Sequence, residues 1–432
     1  MVSENICGGK CVLGMVIILG IAILGILGNA NAATINVPAD YPTIQQAIDN
    51  ASNGDTIVVA AGTYIESITI NKSINLVGET GAVIKCPSTP KTANLQESSH
   101  TFEYIVLIAG GTYNASNNTY YGPGTINVNI TGFEINGSNN GTGIDTFVGI
   151  LARNAIGNIS NNYIHHMYGP SENGSGEQTF SILVYGNSDL TVYNNTVKDF
   201  SRGGIVANGD AGTLPDPVII VKNNVIYGNG LENDTGWWAE NGLQFGWGAS
   251  GTVEGNKVYN CRVNNPSWAS SGIIIVDTHD LIINNNTIVN CDKPIGVEDA
   301  SAAWGFPWNV ATIWNITITN NTLDKNTYGI SIANNVTNVT ILYNEITNTT
   351  YDAIDVWNYG YGDASPTTIT IHYNNIYNNG WGLWTDSHQT DTVNATLNWW
   401  GNAAGPYNAT TNPCSTGDGV AGNVKYIPWL DA

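Results

Sequence analysis

Residues 281–297 read LIINNNTIVNCDKPIGV, a β-patterned run broken by three amides. Asn284, Asn285 and Asn286 stand between Ile283 and Ile288, where an ordinary strand avoids asparagine. The same pattern returns along the chain as ISNNYI (159–164), VYNNTV (192–197), VKNNVI (221–226), VEGNKV (253–258) and INNNTI (283–288). It continues as ITNNTL (318–323), ILYNEI (341–346) and IHYNNI (371–376). The recurring amide is Asn162, Asn195, Asn224, Asn256, Asn286, Asn321, Asn344 and Asn374, with gaps of 23 to 35 residues. A degenerate earlier copy is ITGFEI (130–135), and a final one is TLNWWG (396–401).

Each repeat holds a second short piece that starts on a small residue and alternates, such as SILVY, GIVAN, GIIIV and AIDVW. Period-2 alternation over four or five residues signals half-buried strands. Repeats of this length without an apolar 3.6-residue period exclude helical solenoids and imply a β-solenoid with its insertions at the corners. Stacked coils at about 4.8 Å would align equivalent residues into ladders. The repeated asparagines would then satisfy one another at a bend. Two residues on, Ile164, Val197, Ile226, Val258, Ile288, Leu323, Ile346 and Ile376 would form an inward apolar ladder.

On these residues the sequence resembles the right-handed parallel β-helix proteins of pectin-lyase-like type, in the group that includes NosD-like and other exported archaeal or bacterial surface proteins. Both ends carry the likeness: ATINVPADYPTIQQAIDNASNGDTIVVAAGTY from residue 33, and LNWWGNAAGPYN from residue 397. The expected architecture is all-β: a single-stranded right-handed parallel β-helix of about ten coils, roughly 50 Å long at that spacing. Open solenoid ends need caps, and TIQQAIDNA (43–51) supplies an amphipathic helix for that role. The expected segments are a signal peptide (1–32), a cap and first coil (33–87), repeat coils (88–395) and a closing segment (396–432).

The first 32 residues combine Lys10, the apolar run VLGMVIILGIAILGIL and the small-residue ending Ala30-Asn31-Ala32. That order matches a secretory signal cleaved after Ala32, the alternative being a retained anchor. The mature protein is then expected outside the bilayer, secreted or at the cell surface. The chain carries 13 Lys+Arg against 34 Asp+Glu, a formal charge of −21. Such a balance excludes nucleic acid and anionic membranes as partners. The chain contains 19 Asn-x-Ser/Thr sequons, as an exported glycoprotein would. A glycan or cell-envelope polymer is the expected partner.

In the second strand of each repeat, the residues alternating with the inward set face out. They include Leu151 and Arg153 early in the chain, then Asp355 with Trp357 and Trp384 with Asp386 in adjacent coils. Asp355 and Asp386 are the candidate catalytic pair, about 8 Å apart, one coil up and two residues along. That separation suits an inverting glycosidase, with Trp357, Trp384 and His388 as sugar contacts. The alternative is plain surface decoration. Trp237, Trp238 and Trp268 fall at one corner of successive coils and are further candidate carbohydrate contacts. Trp304, Trp308 and Trp314 are expected at the opposite corner.

The histidines show no metal spacing, so no metal site is assigned. No cofactor is assigned either; acidic loops are compatible with Ca²⁺, but no calcium motif is present. The signatures of polygalacturonases are missing, and so few cations disfavour uronate lyases and epimerases. Cys261 and Cys291 each lie five residues after a ladder asparagine, which places them side by side as a disulfide or a stacked thiol pair; the disulfide is the expectation. Three functions remain: a carbohydrate-binding or layer-forming surface protein, a polysaccharide-degrading enzyme, or a purely structural surface protein.

Overall fold

The computed structural model describes residues 32–431, except 144, 170–177, 210–214, 232–238, 265–268, 300–312 and 359–363. Residues 1–31, which carry most of the expected export signal, lie outside that set. Among the described residues, no helix is long and apolar enough to cross a membrane.

The amide-rich run is the bend between two strands. Residues His279–Asn284 form one strand and Thr287–Val289 the next, with Asn285 and Asn286 turning the chain between them. Asn285 has φ +56°, in the left-handed region that asparagine enters at low cost. Each coil therefore contains three strands where alternation alone suggests two. One coil runs through Ala155–Ser160, Tyr163–His165 and Gln178–Tyr185, and the next through Asp189–Tyr193, Thr196–Lys198 and Gly203–Asn208.

Stacking these coils gives three sheets of fourteen, fifteen and eleven strands, here the first, second and third in that order. Pairing is parallel and in register nearly throughout. On the second sheet Ile150, Ile182, Ile205, Leu243, Ile273, Ile295, Ile330, Ile354 and Leu383 are consecutive partners. All of them belong to one continuous core between the three sheets. The third-sheet row from Ile164 through Ile226 and Ile288 to Ile376 is equally buried. Full burial of each such side chain contributes about 1.5–3 kcal/mol.

The asparagine side chains run along the bend as a continuous hydrogen-bonded line. Asn162 Nδ2 donates to Asn195 Oδ1 (3.1 Å), and the pattern repeats through Asn224, Asn256, Asn286, Asn321, Asn344 and Asn374 at 2.9–3.0 Å. Each Oδ1 also accepts the backbone N–H of the preceding asparagine, for example Asn256 N to Asn286 Oδ1 at 2.9 Å. Asn374 hands on to Asn398 at the closing end. At the other end Phe133 takes the asparagine's place, and its N–H donates to Asn162 Oδ1.

Helix α1 (Ile44–Asn50) covers the N-terminal coil, burying Ile44, Ala47 and Ile48, with Thr43 as N-cap. Glu66 accepts the otherwise unpaired N–H groups of Ile44 (2.9 Å) and Gln45 (3.0 Å). Among the strands of the described residues, antiparallel pairing occurs at one insertion, and a single antiparallel bridge, Asn408 with Asn412, lies in the closing segment. At the insertion Lys91–Leu95 pairs with Thr101–Ala109, and Thr112–Asn114 with Thr119–Tyr121.

Candidate functional site

The alternation that turns the isoleucine row inward sends its neighbours to the outer face of the second sheet. One outward row follows the register Leu107, Leu151, Leu183, Val206, Gln244, Ile274, Gly296, Ser331, Asp355, Trp384. It starts apolar and ends polar and aromatic. The apolar part is buried: the segments on either side of the strand Thr101–Ala109, residues 91–97 and 112–121, fold over it, and Leu95 and Tyr120 cluster with Leu107, Leu151 and Leu183. The expectation that Leu151 and Arg153 face an open cleft is therefore corrected. Arg153 is fully buried, its Nε donating to both carboxylate oxygens of Glu97 (3.0 and 2.8 Å). Its Nη1 and Nη2 donate to the carbonyls of Gly110 (2.6 Å) and Gly122 (3.0 Å). An arginine amid apolar residues needs such partners, and the insertion supplies them.

Beyond that cover lies a small cleft of about 90 Å³, lined by His100, Gln178, Arg202, Asn208, Gln244 and Trp247 among others. Its amides are linked, Gln244 Nε2 donating to Asn208 Oδ1 at 3.1 Å. Arg202 donates to the Ala239 carbonyl (2.9 Å), and His100 meets Asp145 (2.8 Å).

Further along the face, Asp355 pairs in register with Ser331 on one side and Trp384 on the other. Ser331 Oγ donates to Asp355 (2.7 Å) and accepts the indole N–H of Trp357 (3.0 Å). Asp355 is 8% exposed. Burial raises its pKa from the usual carboxylate range to about 7, against the opposing pull of Lys293 and Ser331; Asp352 and Glu298 push it further up. Lys293 is paired with Glu298. Trp384 is the most open ring of the group, 37% exposed, while Trp357 is half-buried.

Asp386 has different surroundings. Its strand ends at Thr385, and its carboxylate accepts the backbone N–H of Asn358 and of His388 and meets His388 Nδ1, all at 3.1 Å. Both oxygens are engaged in holding a turn. The structure thus groups Asp355, Trp357 and Trp384, and gives Asp386 and His388 to the turn beside them. Sequence alternation turns Glu298 and Ser331 outward but does not single them or Lys293 out as site residues, because single polar residues on an exposed strand carry no signal of their own. Trp237, Trp238, Trp268, Trp304 and Trp308 lie outside the described residues. Trp314 is not at a corner: it stands in the first-sheet strand Ile313–Thr319, stacked on His279 at 4.6 Å.

The disulfide expectation is also corrected. Cys261 and Cys291 are free thiols, buried and adjacent. In register, equivalent residues have parallel Cα–Cβ bonds and keep the sheet spacing of about 4.8 Å, wider than the Cβ separation a disulfide takes. The neighbouring thiol and burial together raise the Cys261 pKa well above the ordinary thiol value. The histidines, which show no metal spacing along the chain, do meet at one place: His165 and His166 converge with Asp199 from the next coil.

Residues 180–364 match the family model described as the right handed beta helix region. A 104-residue segment is 33% identical to a cell surface glycoprotein of Methanothermus fervidus, covering 23% of this chain and 18% of that protein. The matched segment thus spans less than a fifth of that relative's length. Among solved structures, the catalytic unit of a thermostable alpha-1,3-glucanase from Streptomyces thermodiastaticus is similar with TM-score 0.50 and 15% identity, over 93% of this chain and 69% of that one. The A-module of a mannuronan C-5 epimerase from Azotobacter vinelandii is similar with TM-score 0.45 and 15% identity, over 89% and 94%. With its three parallel sheets, stacked coils and asparagine-lined bend, the chain folds as a parallel β-helix, right-handed by the family model that residues 180–364 match.

Proposed function

We propose that this chain is an exported cell-surface β-helix that binds a neutral glycan along the outer face of its second sheet, at Trp357, Trp384 and Asp355. The observation that carries this reading is the open indole of Trp384 in register with Asp355, beside Ser331 and Trp357. An exposed ring stacks on a sugar face, and the neighbouring carboxyl and hydroxyl groups orient its hydroxyls. Neutral sugars fit best because the cations described on this face are engaged: Arg153 with Glu97, Lys293 with Glu298, Arg202 with a carbonyl. A chain of formal charge −21 also repels polyuronates. Surface location is supported by the 104-residue similarity to a cell surface glycoprotein, by the export-signal pattern and by the sequons.

The test is glycan-array binding by the mature protein, followed by titration of any hit. Trp384→Ala should weaken binding at least tenfold and Trp357→Ala less, because the Trp357 ring is half-buried. Undiminished binding by the double variant would overturn the assignment of this face.

A second reading, polysaccharide hydrolysis, is favoured by one observation: a carboxyl with pKa near 7 is poised as a general acid at neutral pH. Asp355 takes that role. The pairing with Asp386 requires an oxygen now bonded to Asn358 or His388 to serve as base. Release of reducing ends from a polysaccharide panel, abolished in Asp355→Asn, would establish hydrolysis. Absence of both binding and cleavage, with assembly of the protein into sheets, would leave the purely structural reading.

A further inference from the structure

We propose that His165, His166 and Asp199 bind one divalent cation of the zinc, copper or nickel class, clipping together neighbouring coils at the edge of the third sheet. The site follows from the stacking. Tyr163–His165 pairs with Thr196–Lys198 through Tyr163–Thr196 and Ile164–Val197, so the next residues, His166 and Asp199, fall side by side. One donor atom from each of the three residues lies within 4.8 Å of the other two. The Nδ1 atoms of His165 and His166 face each other directly, and His166 Nδ1 is 3.8 Å from Asp199 Oδ2. Two imidazole nitrogens and a carboxylate are the donors this metal class prefers, and three protein ligands leave a position for water.

Two features point beyond an ordinary turn. First, His166 and Asp199 occupy a left-handed position at the end of their third-sheet strands (φ +54° and +57°), where later coils place Asn260, Asn290, Lys325, Asn348 and Asn378. The turn needs only an asparagine there, yet two successive coils carry metal-ligating side chains. Second, His165 is buried, and its ring is held by stacking on Tyr163 at 4.3 Å. Its other nitrogen, Nε2, meets Glu134 of the preceding coil at 3.1 Å. A carboxylate behind a ligating histidine fixes the tautomer that presents the opposite nitrogen to a metal. Lys198 is the competing cation, 3.6 Å from Asp199 and over the Tyr163 ring; its side chain is 36% exposed and free to swing into water.

The test uses the full chain purified without a histidine tag and titrated calorimetrically with Zn²⁺ alone, with thermal unfolding followed in parallel. One Zn²⁺ per chain is expected, with a higher unfolding midpoint in its presence. His166→Ala and Asp199→Asn should each reduce affinity at least tenfold and abolish that rise. Glu134→Gln should reduce affinity about 10- to 100-fold by loosening His165. The His166 ring is half exposed, so its variant keeps the test valid where His165→Ala fails to fold. No Zn²⁺ binding, or equal binding by the His166→Ala/Asp199→Asn double variant, would show that the cluster is only a hydrogen-bonded turn.

Discussion

Arg153 Nε reaches both carboxylate oxygens of Glu97, at 2.8 and 3.0 Å, with neither side chain exposed to solvent. This pair ties the segment of residues 91–97 to the outer face of the second sheet, and so decides which part of that face stays open. Arg153→Met should destabilise the protein by about 3–5 kcal/mol, because it leaves Glu97 buried without a counter-charge. Adding Glu97→Gln should recover much of the loss. Chemical denaturation of the single and double variants checks this, and a single-variant loss below about 1 kcal/mol would contradict it.

Removing one amide from the middle of the asparagine line should be costly. Asn256 donates to Val221 O and Asn286 Oδ1, and accepts from the N–H and Nδ2 of Asn224. Asn256→Ala strands those partners in a dry bend and is expected to cost about 3 kcal/mol or more. The same substitution at exposed Asn161 should cost well under half as much. Equal urea midpoints for the two variants would refute a structural role for the line.

Asp355 should make stability fall with rising pH. Its folded pKa, about 7, lies above the ordinary value of 3.8, so the native state holds the proton more tightly. Its full contribution is present below pH 3.8, is lost as pH rises toward 7, and stays lost above. The span is on the order of 4 kcal/mol. Asp355→Asn should remove this component, leaving the variant relatively more stable at pH 8 than at pH 5. Denaturation of both proteins at the two pH values measures it. A parallel pH dependence in both would place the proton elsewhere.

The thiols should be chemically silent in the folded protein. Burial pushes the Cys86 pKa up to about 12, and Cys261 is raised as well. Of the four cysteines among the described residues, a thiol reagent should label only the exposed Cys414 under native conditions, and Cys86, Cys261 and Cys291 only after denaturation. A peptide map of the non-reduced protein joining Cys261 to Cys291 would reverse the assignment of free thiols.

Much of the architecture is legible in the chain because a β-helix repeats its local physics at every coil. A left-handed bend calls for asparagine or glycine, and an inward position calls for isoleucine, valine or leucine. Asn286 and Ile288 are therefore readable one repeat at a time, and so is the capping helix with Ile44, Ala47 and Ile48. Alternation likewise puts Asp355, Trp357 and Trp384 on one outward face. What the sequence could not decide is what covers that face and what meets across coils. Arg153 faces outward by alternation yet is buried, because residues 91–97 and 112–121, far from it in the chain, fold over it. Asp386 keeps the spacing of a partner to Asp355, but its strand ends one residue earlier and the turn takes its oxygens. Cys261 and Cys291 are adjacent as their spacing implies, and in the structure they are free thiols. Asp199 lies 33 residues after His166, and only the stacking of one coil on the next brings its carboxylate to the two histidines.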